Sequence, residues 1–217
     1  VYFTKFLKGI PVRPGFDDRD AIDMLENSGI VCNWWRKVKK ITPKQVAEKL
    51  TDEHLLWHLQ RYDDIWPGSA APFSEETPYI STTAGVVERD SFYAENILIP
   101  ALHTALWFAT NRLTRSGYIF RGYVITLGKK AIPFQEYAEE VRELNTYTEY
   151  LRFHPEGELT AKINIPSHRL EQVEKWDIDD LLADLDAGRP LMPSGVKRNW
   201  RYSPPEDYAN IREVLSW

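Results

Sequence analysis

Apolar and polar positions change period several times along this 217-residue chain, and each change marks an element. The opening run from Val1 to Leu7 (VYFTKFL) is β-branched and aromatic and reads as a strand, which Gly9, Pro11, Pro14 and Gly15 are expected to break up. From Asp17 to Asn27 the spacing of Ala21, Ile22 and Leu25 is helical, with Asp17 or Asp18 as cap and Gly29 as terminator. Thr42-Pro43 opens a second helix, with Val46, Leu50, Leu55, Leu56 and Leu59 on its apolar side and a break near Asp52. A loop rich in Pro, Ser and Ala leads to a strand over Tyr79-Ile80-Ser81-Thr82-Thr83. A long helix is then expected from Asp90-Ser91 to about Arg115, with Pro100 as a kink and Ala101, Ala105, Leu106 and Phe108 among its core positions. Tyr118 to Leu127 is a strong strand. Glu136 to Thr148 alternates poorly and reads as a loop or short helix, and Leu159 to Ile165 alternates as a half-buried strand does. Leu170 to Trp176 is a further strand or helix, Ile178 to Ala187 a short acidic helix, and Asp207 to Leu215 a last helix. No regular alternation of strand and helix appears, so pairing is largely antiparallel and the fold class is α+β.

Composition narrows this picture. The length suits one domain or one domain with an appendage. With 43% hydrophobic and 13% aromatic residues the chain can bury a core, and eight Trp with eleven Tyr also supply flat stacking surfaces. A formal charge of −5 argues against a general polyanion binder. The densest basic run, Arg36, Lys37, Lys39 and Lys40, reads as a solvated face. Cys32 is the sole cysteine, which excludes an intrachain disulfide and a Cys-rich metal site. His54 and His58 lie four apart, a spacing that can bind zinc, but the intervening Leu55-Leu56-Trp57 lacks the glutamate of a metalloprotease helix and ordinary helix surface is the expected role. No apolar run is long enough to span a bilayer. The chain begins on Val1 rather than an initiator, so a processed product or a piece of something larger is expected, and the compartment is not read from it.

Two strings carry the chemistry. The first is the hydroxyl-rich strand end Ser81-Thr82-Thr83, and the second is Glu156-Gly157-Glu158. On an extended segment residues i and i+2 share a face, so Glu156 and Glu158 would project together. Paired carboxylates serve chemistry at a sugar carbon, where positive charge develops in the transition state.

In their order, these strings resemble a mono-ADP-ribosyltransferase of the Arg–Ser–Glu type, the class of cholera and pertussis toxin catalytic chains. Tyr79 to Thr83 is similar to that family's aromatic-x-Ser-Thr-Ser/Thr strand, Tyr118 to Ile125 to its following strand, and His154-Pro155-Glu156-Gly157-Glu158 to its Glu-x-Glu turn, with Ile165-Pro166 and Trp176 after it. The match covers about Ile10 to Trp176, leaving 177–217 as a helical extension to a single catalytic domain. The resemblance implies a split β-sandwich of two small, mainly antiparallel sheets with flanking helices and NAD+ in the cleft, without metal. It implies that Glu158 stabilises the oxocarbenium-like cation, that Glu156 orients or deprotonates the acceptor, and that Ser81 positions the glutamate with Thr82 and Thr83 in support. The family's first-strand Arg, which grips the NAD+ phosphates, has two candidates: Lys8 has the local pattern Phe6-Leu7-Lys8-Gly9, and Arg13 has the residue type. Phe120-Arg121-Gly122 has the pattern but the wrong place in the order. The implied activity is NAD+ cleavage with transfer of ADP-ribose to a macromolecule, Glu156 favouring a protein arginine, in a toxin or effector with an immunity or delivery partner. The alternatives are NAD+ glycohydrolysis, transfer to nucleic acid, and a degenerate module that only binds.

Overall fold

The computed structural model describes residues 2–38, 42–84, 101–126, 137–140 and 158–204. Strand β1 (Tyr2–Pro11) runs straight through Gly9 instead of stopping at Leu7, and it pairs antiparallel with β4 (Gly117–Thr126) along its whole length, from Tyr2 opposite Thr126 to Pro11 opposite Gly117. Gly9 is tolerated because α5 (Ala101–Ala109) lies directly on it. A Cβ there would sit 2.3 Å from the Ala105 carbonyl oxygen and 2.6 Å from the Ala109 nitrogen. The glycine that looked like a strand breaker is the contact point between strand and helix.

Helix α1 (Asp18–Asp23) starts in a reciprocal cap. Asp17 accepts from the Arg19 amide at 2.8 Å, and Asp20 accepts from the Asp17 amide at 2.9 Å. The helix widens into a π turn over Met24–Ser28 and ends at Gly29, whose φ of 68° and close approach to the Ile165 carbonyl both require glycine. After β2 (Ile30–Val31) and the single turn α2 (Asn33–Lys37), the expected second helix is two, α3 (Pro43–Lys49) and α4 (Asp52–Gln60), each opened by a threonine cap, Thr42 and Thr51.

After β3 (Tyr79–Ala84), the expected helix from Asp90 is described only as α5, and it stops at Ala109 rather than near Arg115. Asn111, Arg112 and Leu113 all take positive φ, and Thr110 ties the turn by donating to the Leu106 carbonyl at 2.7 Å and accepting from the Leu113 amide at 3.0 Å. This tight reversal brings Gly117 against the Ala109 carbonyl, so β4 starts beneath the helix end. A strand, β5 (Tyr137–Glu140), occupies part of the segment expected as loop or helix, because its backbone finds partners in both β4 and β6. Strand β6 (Glu158–Lys162) is buried at all five positions, not half-buried. Ile163, at φ 61°, breaks it from β7 (Asn164–Ile165). Leu170–Trp176 is strand β8. Past it, the segment expected to be helical holds α6 (Ile178–Asp186) and then β9 (Gly195–Arg198), which pairs with β8. The helix expected at Asp207 lies outside the described residues.

The fold is α+β with split pairing. One limb is β1, β4, β8 and β9, and the other is β3, β6 and β5. They join at short seams: Phe6 and Leu7 of β1 against Ala84 and Thr83 of β3, and Ile125 and Thr126 of β4 parallel to Tyr137 and Ala138 of β5. The pair β2–β7 forms a separate small sheet. Alternation along β1 feeds two apolar clusters. Phe6 packs with Leu25, Phe120, Leu159 and Ile163 on one side, and Leu7 with Ala105, Ile119, Trp176 and Leu181 on the other. The seam between β1 and β3 is where the candidate site forms.

Candidate functional site

The antiparallel pair β3–β6 sets Ser81 opposite Thr160 and Thr83 opposite Glu158. Directly paired residues share a face, so the alcohols and the carboxylate project together. Glu158 is buried at the first position of β6, and its Oε1 accepts from the Thr160 hydroxyl at 2.8 Å. Thr82, also at the edge of the first cavity, donates its hydroxyl to the Leu159 carbonyl at 2.5 Å, which ties the two strands. Glu156 lies outside the described residues.

Two adjoining cavities open over this surface. The first, about 300 Å³, holds Glu158, Ser81, Thr83 and Lys8, with Leu7, Leu59, Ala105 and Phe108 as an apolar wall. The second, about 180 Å³, is bordered by Lys8, Arg13, Arg36, Asn33, Tyr62 and Ser81. Lys8 lines both, whereas Arg13 lines only the second and is itself exposed, held by paired backbone hydrogen bonds to Phe16. Both candidates for the phosphate-gripping residue therefore reach the same depression, Lys8 at its junction and Arg13 at its rim. Arg121 lies elsewhere: its guanidinium pairs with the buried Glu174 carboxylate, which Gln172 and the Trp176 indole also serve.

Charge is divided along the site. Burial pulls the Lys8 ammonium down to about 8, with Glu158 opposing the fall and Arg36 and Arg13 adding to it. Three cations facing one another around an open depression make a place for an anion. Cys32 at the same depression is inert at neutral pH, because burial pushes its thiol up to about 11.

His58 is the residue that sequence reasoning missed. It is no helix-surface residue: it is 4% exposed, its Nε2 lies 2.9 Å from the Ser81 hydroxyl and its Nδ1 2.8 Å from that of Thr77. Burial, with the nearby Lys8 charge, pushes the imidazole down to about 3, so it is neutral at physiological pH. The signal was present, since His58 falls on the stripe of Leu55, Leu59 and Tyr62 at helical spacing. Its neighbour His54 turns instead to Trp66, ring on ring at 4.7 Å, and to the Thr51 hydroxyl at 2.7 Å. Among the described residues no group of three or more His, Cys, Asp or Glu side chains is placed to hold a metal ion. Arg36, read from sequence as part of a solvated run, is the second omission, and only the fold, which brings α2 and β1 to the same depression, places it at the second cavity.

No family model matches the chain, and no curated protein matches it in sequence. Among solved structures the chain is similar to EcPltA, with a TM-score of 0.46 and 12% identity over 93% of this chain and 87% of that one. It is also similar to an arginine-to-lysine mutant of heat-labile enterotoxin, with a TM-score of 0.41 and 14% identity over 91% of this chain and 75% of that one. At those scores and identities neither likeness bears on activity, and function has to be read from the side chains.

Proposed function

We propose that this chain cleaves the nicotinamide–ribose bond of NAD+ and transfers the ADP-ribose to a macromolecular acceptor, a protein arginine being the favoured one. The observation that carries the reading is the buried Glu158 carboxylate, steadied by Thr160 and facing a cavity that continues into a depression ringed by three cations. A dinucleotide has that charge order: a pyrophosphate in its middle and a pyridinium ribose at one end.

In this reading Lys8 holds the pyrophosphate, with Arg13 and Arg36 at the outer side, and the apolar wall from Leu7 to Phe108 takes the flat nicotinamide ring. As the glycosidic bond breaks, its electron pair leaves with the ring nitrogen and neutralises the pyridinium, while positive charge moves to the ribose carbon and ring oxygen. Glu158 stabilises that charge where it develops, in a site that already excludes much of the solvent. Ser81 and Thr83 supply hydroxyls on the same face. Glu156 is assigned to the incoming nucleophile by its place in the sequence motif. Water in place of a macromolecule makes the same machinery an NAD+ glycohydrolase.

Incubation with NAD+ labelled in the adenylate half, with and without cell lysate, tests this. Nicotinamide release with label on lysate protein is the expected result. Release without macromolecular label identifies the hydrolase, label on nucleic acid moves the acceptor class, and no release under any condition removes the reading.

A further inference from the structure

We infer that Thr77 is a positioning residue of this site: acting through His58, it fixes the Ser81 hydroxyl as a hydrogen-bond donor into the cavity. What the hydroxyl donates to rests on the proposed NAD+ chemistry; how its proton is aimed rests on the hydrogen-bond network alone.

The network is short and every proton in it can be placed. Thr77, 1% exposed, precedes β3, and its Oγ1 accepts from the Tyr79 amide at 3.2 Å. Its own hydroxyl proton is buried and needs an acceptor. The one acceptor that reaches it among the described residues is His58 Nδ1, at 2.8 Å. Nδ1 is therefore unprotonated. The imidazole is neutral at physiological pH, because burial and the Lys8 charge disfavour a second proton. Its single proton is then on Nε2 and is donated to Ser81 Oγ at 2.9 Å. His58 is the hydrogen-bond partner of Ser81 among the described residues, so the Ser81 proton is left to turn into the cavities that Ser81 lines.

The opposite tautomer reverses both bonds of the imidazole. Nδ1–H would donate to Thr77, whose own proton would lose its acceptor, and Ser81 would spend its proton on Nε2. The serine would then offer only lone pairs to a site that already contains the Glu158 carboxylate. A hydroxyl that must hydrogen-bond a carboxylate or a ribose oxygen has to be a donor, and Thr77 decides which it is. His58 is too weakly basic to remove the Ser81 proton, so the pair holds a proton in place and does not activate a nucleophile.

Nitrogen-15 NMR of His58 in the intact protein reads the tautomer directly, with a bare Nδ1 and a protonated Nε2 expected. Thr77→Val removes the donor to Nδ1 and should mix the two tautomers, while Thr77→Ser should restore the wild-type pattern. With NAD+ as substrate, Thr77→Val should lower kcat for nicotinamide release on the order of tenfold with little change in KM, in line with lost outer hydrogen-bond partners of a site residue, and Thr77→Ser should recover it. A protonated Nδ1 in the wild type overturns the inference, as does a Thr77→Val protein that keeps both the nitrogen pattern and kcat. Should Thr77→Val not fold, the wild-type pattern and Thr77→Ser decide. A wild type that releases no nicotinamide overturns the NAD+ reading, while its His58 nitrogens still decide the aim of the proton.

Discussion

Single side chains at the candidate site differ in charge and in what they can donate. Glu158→Gln keeps size and removes the anion, so nicotinamide release should fall at least on the order of 10²–10³-fold with the melting temperature almost unchanged. Unaltered release would take Glu158 out of its role. Lys8 makes a different and pH-dependent prediction. Its free-state value near 8, against the 10.5 of an ordinary lysine, means that the charge is nearly complete well below pH 8, half present at pH 8 and lost as pH rises further. A bound pyrophosphate favours the charged form, so NAD+ affinity should be highest below pH 8 and weaken as pH rises through that value. Lys8→Arg, which cannot lose its proton in this range, should carry affinity to higher pH; calorimetric titration with NAD+ from pH 6.5 to 9.5 reads both curves. A wild-type affinity flat across the range would detach Lys8 from the phosphates. His58 stays neutral throughout and contributes no limb to the profile.

Elements matter here by how closely they approach one another. Helix α5 lies so tightly on β1 that Gly9 has no room for a methyl group, with backbone atoms of Ala105 and Ala109 in the way. Both atoms belong to helix backbone, so the helix must move as a body. Gly9→Ala should cost about 1–3 kcal/mol, read from denaturant midpoints, and should weaken NAD+ binding as well, because Ala105 and Phe108 of the same helix form the apolar wall of the larger cavity. Loss of stability with undisturbed binding would show that the wall is not used. The strand pair β3–β6 is the other controlling element: its register puts Ser81 across from Thr160 and Thr83 across from Glu158, and a slip of one strand by one residue would put the β3 hydroxyls and the Glu158 carboxylate on opposite faces.

At the scale of the molecule, distant segments are tied together away from the site. Asn199, 6% exposed, shares the two protons of its side-chain amide among the carbonyls of Leu25, Ser167 and Leu170, at 2.8, 2.7 and 2.8 Å, joining the π turn, the turn before β8 and the start of β8. Asn199→Ala leaves those buried carbonyls short of a donor and should cost about 1–3 kcal/mol of unfolding free energy with nicotinamide release retained at temperatures well below the transition. A neutral substitution would show that solvent replaces the amide. The charge layout is also a property of the whole: the net charge is −5, yet Lys8, Arg13 and Arg36 gather at one depression because β1, the turn after it and α2 meet there.

Much of this was legible in local pattern. Period and caps announced β1, α1, α3, α4, β3, β4 and α6, because a helix or strand buries a stripe or a face and its ends need hydroxyl, carboxylate or glycine. The irregular succession of elements announced an antiparallel α+β fold. The strings around Ser81 and Glu158 pointed to the candidate site, and the structure brings Ser81 and Glu158 to one cavity. Burial and pairing could not be read that way. Polar residues in β6 hid a strand buried at every position, Gly9 looked like a breaker until α5 was seen lying on it, and Glu136 to Thr148 alternates poorly although Tyr137–Glu140 pairs on both edges. His58 and Arg36 became site residues only when chain segments far apart in sequence closed around the same cavities. A side chain's neighbours, and hence its charge state, are set by long-range contacts that local periodicity does not encode.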